Sequence, residues 1–154
     1  MQFIQKVFTD LQISIPELKN VKLDSIDELD SELTDFYGYT DTKGVYGKYK
    51  TSKNYRTLER QATDIYIRLS NEGVPFPEEI LLCILLHEIA HCLTPHVEIK
   101  QKKGWIIEHH SQLYYGNLTR VNREAKKLGY DIKPEMLNIR TVERYQRVIL
   151  NFHC

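Results

Sequence analysis

His87 and His91 stand four residues apart, with Glu88 directly after the first, and these residue types at this spacing can hold a metal ion and use it. In an α-helix, residues four apart lie one turn above each other, so both imidazoles would aim at a single point beside the helix. Glu88 projects about 100° further round. Its carboxylate then reaches a water held at that point rather than the ion itself, which is where a general base belongs. The chemistry is metal-assisted hydrolysis, and zinc is the ion that this ligand spacing suits.

Such a site needs a helix across both histidines. Pro77 suits a first helical turn, Glu78 and Glu79 complement its positive dipole end, and Pro95 follows the far end, so the helix is expected from Pro77 to about Leu93. Ile80, Leu81, Leu82, Cys83, Ile84, Leu85, Leu86, Ile89, Ala90 and Leu93 make it apolar nearly all round, and therefore buried. Two histidines and a glutamate inside such a helix are costly without partners, and a metal with its water supplies them.

A catalytic zinc takes three protein ligands and keeps a fourth position open. His96, His109, His110, Glu98 and Glu108 are the nearby candidates for the third. The metzincin spacing, with a third histidine ten residues after the first and a glycine before it, is absent: Val97 and Thr94 stand there. His96 follows Pro95 in a stretch expected to be loop. A second helix is expected from about Ile107 to Leu128, stopping at Gly129 as a C-terminal cap. Its apolar stripe is Ile106, Leu113, Tyr114, Leu118, Val121, Ala125 and Leu128. His110 lies in that stripe, three before Leu113 and four before Tyr114, which favours it as the third ligand, with His109 and His96 as alternatives.

Leu85-Leu86-His87-Glu88-Ile89-Ala90-His91, then Thr94-Pro95, then His110-Ser111-Gln112-Leu113-Tyr114-Tyr115 resembles the WLM and SprT-like zinc metallopeptidases, and looks closest to compact WLM-like proteins of large DNA viruses. In that pattern HExxH is followed by a short loop and a histidine with an aromatic residue four further on. Tyr114 fills the aromatic place if His110 is the ligand, whereas His109 would put Leu113 there and His96 would put Lys100. The resemblance spans about Thr63 to Pro134, with Ala125-Lys126-Lys127-Leu128-Gly129-Tyr130 closing the second helix. The chain departs from it by an insertion from His96 to Ile107. The resemblance implies an α+β, zincin-like domain, a short antiparallel or mixed sheet packed on the HExxH helix and a second ligand-bearing helix. It implies an endopeptidase acting on a protein or peptide, with Zn2+ on His87, His91 and His110 and Glu88 as general base. It further implies that an extended peptide lies beside the strand Ala62 to Leu69, which makes Tyr66 a substrate-binding candidate. Tyr114 and Tyr115 are candidates to steady an oxyanion, with packing under the ligand as the alternative for Tyr114.

Two readings of other classes stand beside this one: a catalytically inactive zinc-binding module, and a nucleic-acid-associated adaptor of the same fold. Intact Glu88 disfavours the first, since a structural site needs no base. The second draws on Lys43, Lys48, Lys50, Lys53, Arg56 and Arg60 interleaved with Tyr46, Tyr49 and Tyr55, because lysines meet phosphates and tyrosines stack on bases. A charged β-surface explains the same stretch more simply, and 21 Lys plus Arg against 21 Asp plus Glu leaves no global pull toward nucleic acid or an anionic membrane. Lys100, Lys102 and Lys103 form a smaller cluster in the inserted stretch, where they could cover the cleft.

The 154 residues suffice for one core, and a single domain over 1–154 is expected. Cys83, Cys92 and Cys154 have no paired spacing and read as free thiols of a reducing compartment. No signal-peptide core or membrane-length apolar run is present, so a cytoplasmic or nuclear protein is expected. Met1 to Leu11 reads as a short amphipathic helix interrupted by Pro16. Asp24 to Asp35 has helical spacing of Ile26, Leu29 and Leu33, Thr42 to Lys53 suggests a hairpin, and Met136 to Phe152 reads as a last amphipathic helix.

Overall fold

The computed structural model describes residues 1–26, 38–71 and 73–130. Its order is α1 (Gln2–Ser14), a 3-10 turn (Pro16–Leu18), β1 (Lys22–Ile26), β2 (Gly38–Thr51), β3 (Tyr55–Arg68), β4 (Ser70–Asn71), β5 (Val74–Pro75), α2 (Glu78–Leu93), β6 (His96–Gln101), β7 (Gly104–Ile107) and α3 (Gln112–Lys127). This is a mixed α+β arrangement. The proposed last helix from Met136 to Phe152 and most of the acidic segment lie outside the described residues.

β3 organises the sheet. Its second half, Asp64 to Arg68, pairs in parallel with β1, while β2 runs antiparallel along its other side and β6 joins at Tyr55 to Leu58. β7 closes the far edge beyond β6. The strand expected at Ala62 therefore begins at Tyr55, and Asp64 to Ile67 have neighbours on both sides. That overturns its part as a pairing edge for substrate, because its main-chain groups are spent on β1 and β2. Among the described residues, β2 pairs with β3 alone, so the free edge on this side belongs to β2.

α1 buries Ile4, Val7, Phe8 and Leu11, the i, i+3, i+4, i+7 stripe of an amphipathic helix. Those side chains belong to one core cluster with Ile80, Leu81, Ile84, Leu85 and Ile89 of α2 and Ile65 and Ile67 of β3. α2 is buried from Ile80 to Ala90. Each fully buried Leu or Ile contributes about 1.5–3 kcal/mol, so this helix is held from every side.

Three local expectations are corrected. Asp24 to Ile26 are strand rather than helix: pairing with β3 overrides a spacing that fits a helix equally well. His96 to Ile107 are not a loop but the β6–β7 hairpin, in which Ile99 faces Ile106 and Lys100 faces Trp105. The helix expected from Ile107 starts only at Gln112, after the Ser111 cap. Tyr114, Leu118, Val121 and Ala125 form its buried stripe, while Ile106, Leu113 and Leu128 are exposed. Gly129 does follow the helix, with φ of 90° that suits glycine, and its N–H donates to Lys126 O at 3.0 Å.

Candidate metal centre

α2 carries His87 and His91 one turn apart, and their Nε2 atoms lie 3.1 Å from each other. The third imidazole comes from the turn between β7 and α3. Glu108 N–H donates to Val97 O at 2.8 Å, and Glu108 Oε1 accepts from His110 N–H at 3.4 Å. Ser111 Oγ then accepts from Tyr114 N–H at 3.2 Å, the side-chain cap of a helix N-terminus. His110 is thus placed by a tied turn two residues before α3, not by the face of the helix. One nitrogen from each of His87, His91 and His110 falls within 4.8 Å of the others, close enough to bind a metal.

The donors fit such an ion. A tetrahedral ion with bonds of about 2.0–2.1 Å holds its ligand atoms about 3.3 Å apart, near the 3.1 Å between the two Nε2 atoms. Ligation also needs neutral imidazoles. Burial pushes His87 down to about 3, helped by nearby His110, and pushes His91 down to about 2, helped by His87 and His110. Among the described residues the group has three members, the number of protein ligands that a catalytic zinc takes.

The other two candidates are placed elsewhere. His96 opens β6, and its Nε2 lies 3.1 Å from Glu98 Oε2, while Arg56 Nη2 donates to Glu98 Oε1 at 3.0 Å. His109 is exposed and outside the group of three.

Glu88 is buried beside the histidines, its Oε2 3.7 Å from His87 Nε2. Burial pushes its carboxyl up to about 7, against the pull of a Thr40 hydrogen bond and of Arg60. Thr40 Oγ1 donates to Glu88 Oε1 at 2.9 Å and lies 3.2 Å from the Glu88 carbonyl oxygen. β2 comes this close because Gly38 has no side chain: a Cβ there would stand 2.7 Å from Glu88 Cγ and 2.8 Å from Ile84 Cγ2. Thr40 is a site residue that sequence reasoning missed, since no local pattern marks a strand residue that meets a helix 48 positions later.

The end of α2 is tied down as well. Thr94 Oγ1 donates to Ala90 O at 2.7 Å, and Asn117 Nδ2 donates to Leu93 O at 3.1 Å. Arg60 donates from Nε to Thr94 O at 3.0 Å and from Nη2 to His91 O at 3.3 Å, so a cation sits on the negative helix end. Two members of the basic stretch are therefore committed inside the fold, Arg60 here and Arg56 between the rings of Tyr49 and Trp105 at 4.0 and 4.5 Å.

Of the three candidate tyrosines, Tyr114 is fully buried against His87, Tyr115 is 42% exposed beside it, and Tyr66 is not at the centre. Ile65 and Ile67 face the core, so strand alternation turns Tyr66 to the opposite side of the sheet, toward Tyr39. Among the described residues Cys83 and Cys92 are in no disulfide, and burial pushes both thiols up to about 12, away from the reactive thiolate form. No helix among the described residues is long and apolar enough to cross a membrane. Compared with protein-family models, curated proteins and solved structures, the chain matches none, and the resemblance to WLM and SprT-like peptidases rests on its motif residues.

Proposed function

We propose that the chain is a zinc-dependent endopeptidase of zincin-like architecture, with His87, His91 and His110 as metal ligands and Glu88 as general base. The observation that carries this reading is the convergence of three imidazoles from two separate segments beside a buried carboxylate. Zinc bound there supplies Lewis acidity toward a water and a scissile carbonyl. Glu88 receives a proton at Oε2, the oxygen nearer the histidines, and returns it to the leaving amine, while Thr40 holds Oε1 and fixes the plane of the carboxylate. Three protein ligands among the described residues, beside a buried carboxylate, suit this activity better than a four-ligand structural site.

An extended substrate would lie along β2, the strand that brings Thr40 to Glu88 and that pairs with β3 alone among the described residues. A cavity of about 440 Å³ lined by Tyr55, Val97, Ile99, Ser111 and Leu113 begins one residue beyond His110 and could take an apolar side chain. The adaptor reading is weakened because Arg56 and Arg60 serve the fold.

The test is cleavage of an unfolded polypeptide by the zinc-loaded protein and by Glu88→Gln. The expected result is cleavage by the wild type alone, with equal zinc in both. Equal cleavage by both, or none by the zinc-loaded wild type, would overturn the proposal.

A further inference from the structure

We infer that Tyr114 is a positioning residue that fixes the tautomer of His87, keeping the proton on Nδ1 so that Nε2 offers its lone pair to the centre of the triad. The use of that lone pair rests on the metal-site reading above; the hydrogen-bond assignment stands without it.

Tyr114 is buried completely, in the first turn of α3, and its hydroxyl oxygen lies 2.6 Å from His87 Nδ1 and 3.3 Å from His87 O. A phenol has one proton to give and lone pairs to receive with, whereas a carbonyl oxygen only receives. Both contacts are used together in one arrangement: Tyr114 donates to the carbonyl, and His87 Nδ1–H donates to Tyr114. The opposite arrangement, with the phenol proton on Nδ1, leaves the 3.3 Å contact with His87 O without a proton and turns His87 Nε2 from an acceptor into a donor. In the assigned arrangement the 3.1 Å contact between the two Nε2 atoms is a hydrogen bond from His91 to His87 in the metal-free protein, with His87 as acceptor. A histidine free in water carries its proton mostly on Nε2, so the Nδ1 form requires a partner, and the Tyr114 hydroxyl is placed to be that partner.

The position depends on the same cap that places His110. Ser111 Oγ accepts the Tyr114 N–H, so one helix start sets both the third imidazole and the hydroxyl behind the first. The ring of Tyr114 also stands 4.5 Å from that of His91 and 4.9 Å from that of His110. Tyr114→Phe keeps this packing and removes only the hydroxyl.

The experiment is nitrogen-15 NMR of the histidine rings in the metal-free protein, together with a chelator-competition measurement of zinc affinity. Wild-type His87 should be protonated at Nδ1, and Tyr114→Phe should lose that preference and bind zinc about 10- to 100-fold more weakly. A wild-type His87 protonated at Nε2 would overturn the inference, as would a folded Tyr114→Phe with unchanged tautomer and affinity. The wild-type spectrum decides the assignment even if the variant fails to fold. If neither protein binds zinc, the metal reading falls, and the tautomer still tells whether Tyr114 does what its geometry implies.

Discussion

His87 with Glu88 and His96 with Glu98 put the same two side-chain types close together twice, and the two pairs end in opposite states. At Glu98 the Arg56 guanidinium donates to one carboxylate oxygen while His96 meets the other, and with a Tyr49 hydrogen bond these hold the acid down at about 2. At Glu88 a neutral hydroxyl is the nearest donor, and burial lifts the acid to about 7. His96 Nε2 lies 3.1 Å from its carboxylate, whereas His87 Nε2 lies 3.7 Å from Glu88 and 3.1 Å from His91, in a desolvated pocket that keeps both imidazoles neutral. A saturated ion pair locks strands together and has nothing left to give. A buried acid with no cation in contact among the described residues, next to neutral imidazoles, keeps its capacity to move a proton.

The sharpest way to break this contrast is to make the same substitution in both places. Glu88→Gln should lower cleavage by about 10²- to 10⁴-fold, the usual worth of a positioned acid or base, whereas Glu98→Gln should leave cleavage intact. Comparable losses of kcat in both would erase the distinction.

A smaller effect is expected from Thr40→Val, which keeps the shape of the side chain and removes its hydrogen bond to Glu88. Hydrogen bonds to charged groups are worth about 1.5–3 kcal/mol, so kcat/KM should fall by about 10- to 150-fold at full zinc occupancy. An unchanged kcat/KM would mean that Glu88 needs no orienting partner.

The smallest effect concerns acid stability. Because its folded-state value is depressed, Glu98 contributes stability that is present above the ordinary carboxylate value of 4.5 and lost as pH falls toward about 2. The unfolding temperature of the wild type should drop through that window. Glu98→Gln should begin lower and drop less, and parallel curves for the two proteins would contradict the ion-pair account.

The helix bearing the motif was legible because several signals agree over it: Pro77, two acids in the first turn, an apolar run and Pro95. α1 was legible for a similar reason, since one stripe and one proline define it. The β6–β7 hairpin was misread although a signal was present. Val97 and Ile99 alternate with polar residues, and Lys102-Lys103 ahead of Gly104 is a two-residue turn, but Trp105, Ile106 and Ile107 fit the start of an apolar helix equally well. Ser111 marks the true start of α3, since a serine before Gln112 is a cap signal in its own right. His110 was named for a stripe that it does not occupy, and it reaches the centre through the turn ahead of the helix. Thr40 and the double pairing of β3 had no local signature, because each depends on segments far apart in sequence. The contrast between the two His–Glu pairs was equally hidden: Arg56, which neutralises Glu98, is 42 positions away from it.

Metal content tests the central claim most directly. Purified protein, supplemented with zinc and freed of excess, should carry about one zinc per chain; His96→Ala should carry the same, and His110→Ala should carry far less. Less than about half a zinc per wild-type chain, or a His110→Ala protein as full as the wild type, would contradict the assignment of His87, His91 and His110 to one metal site.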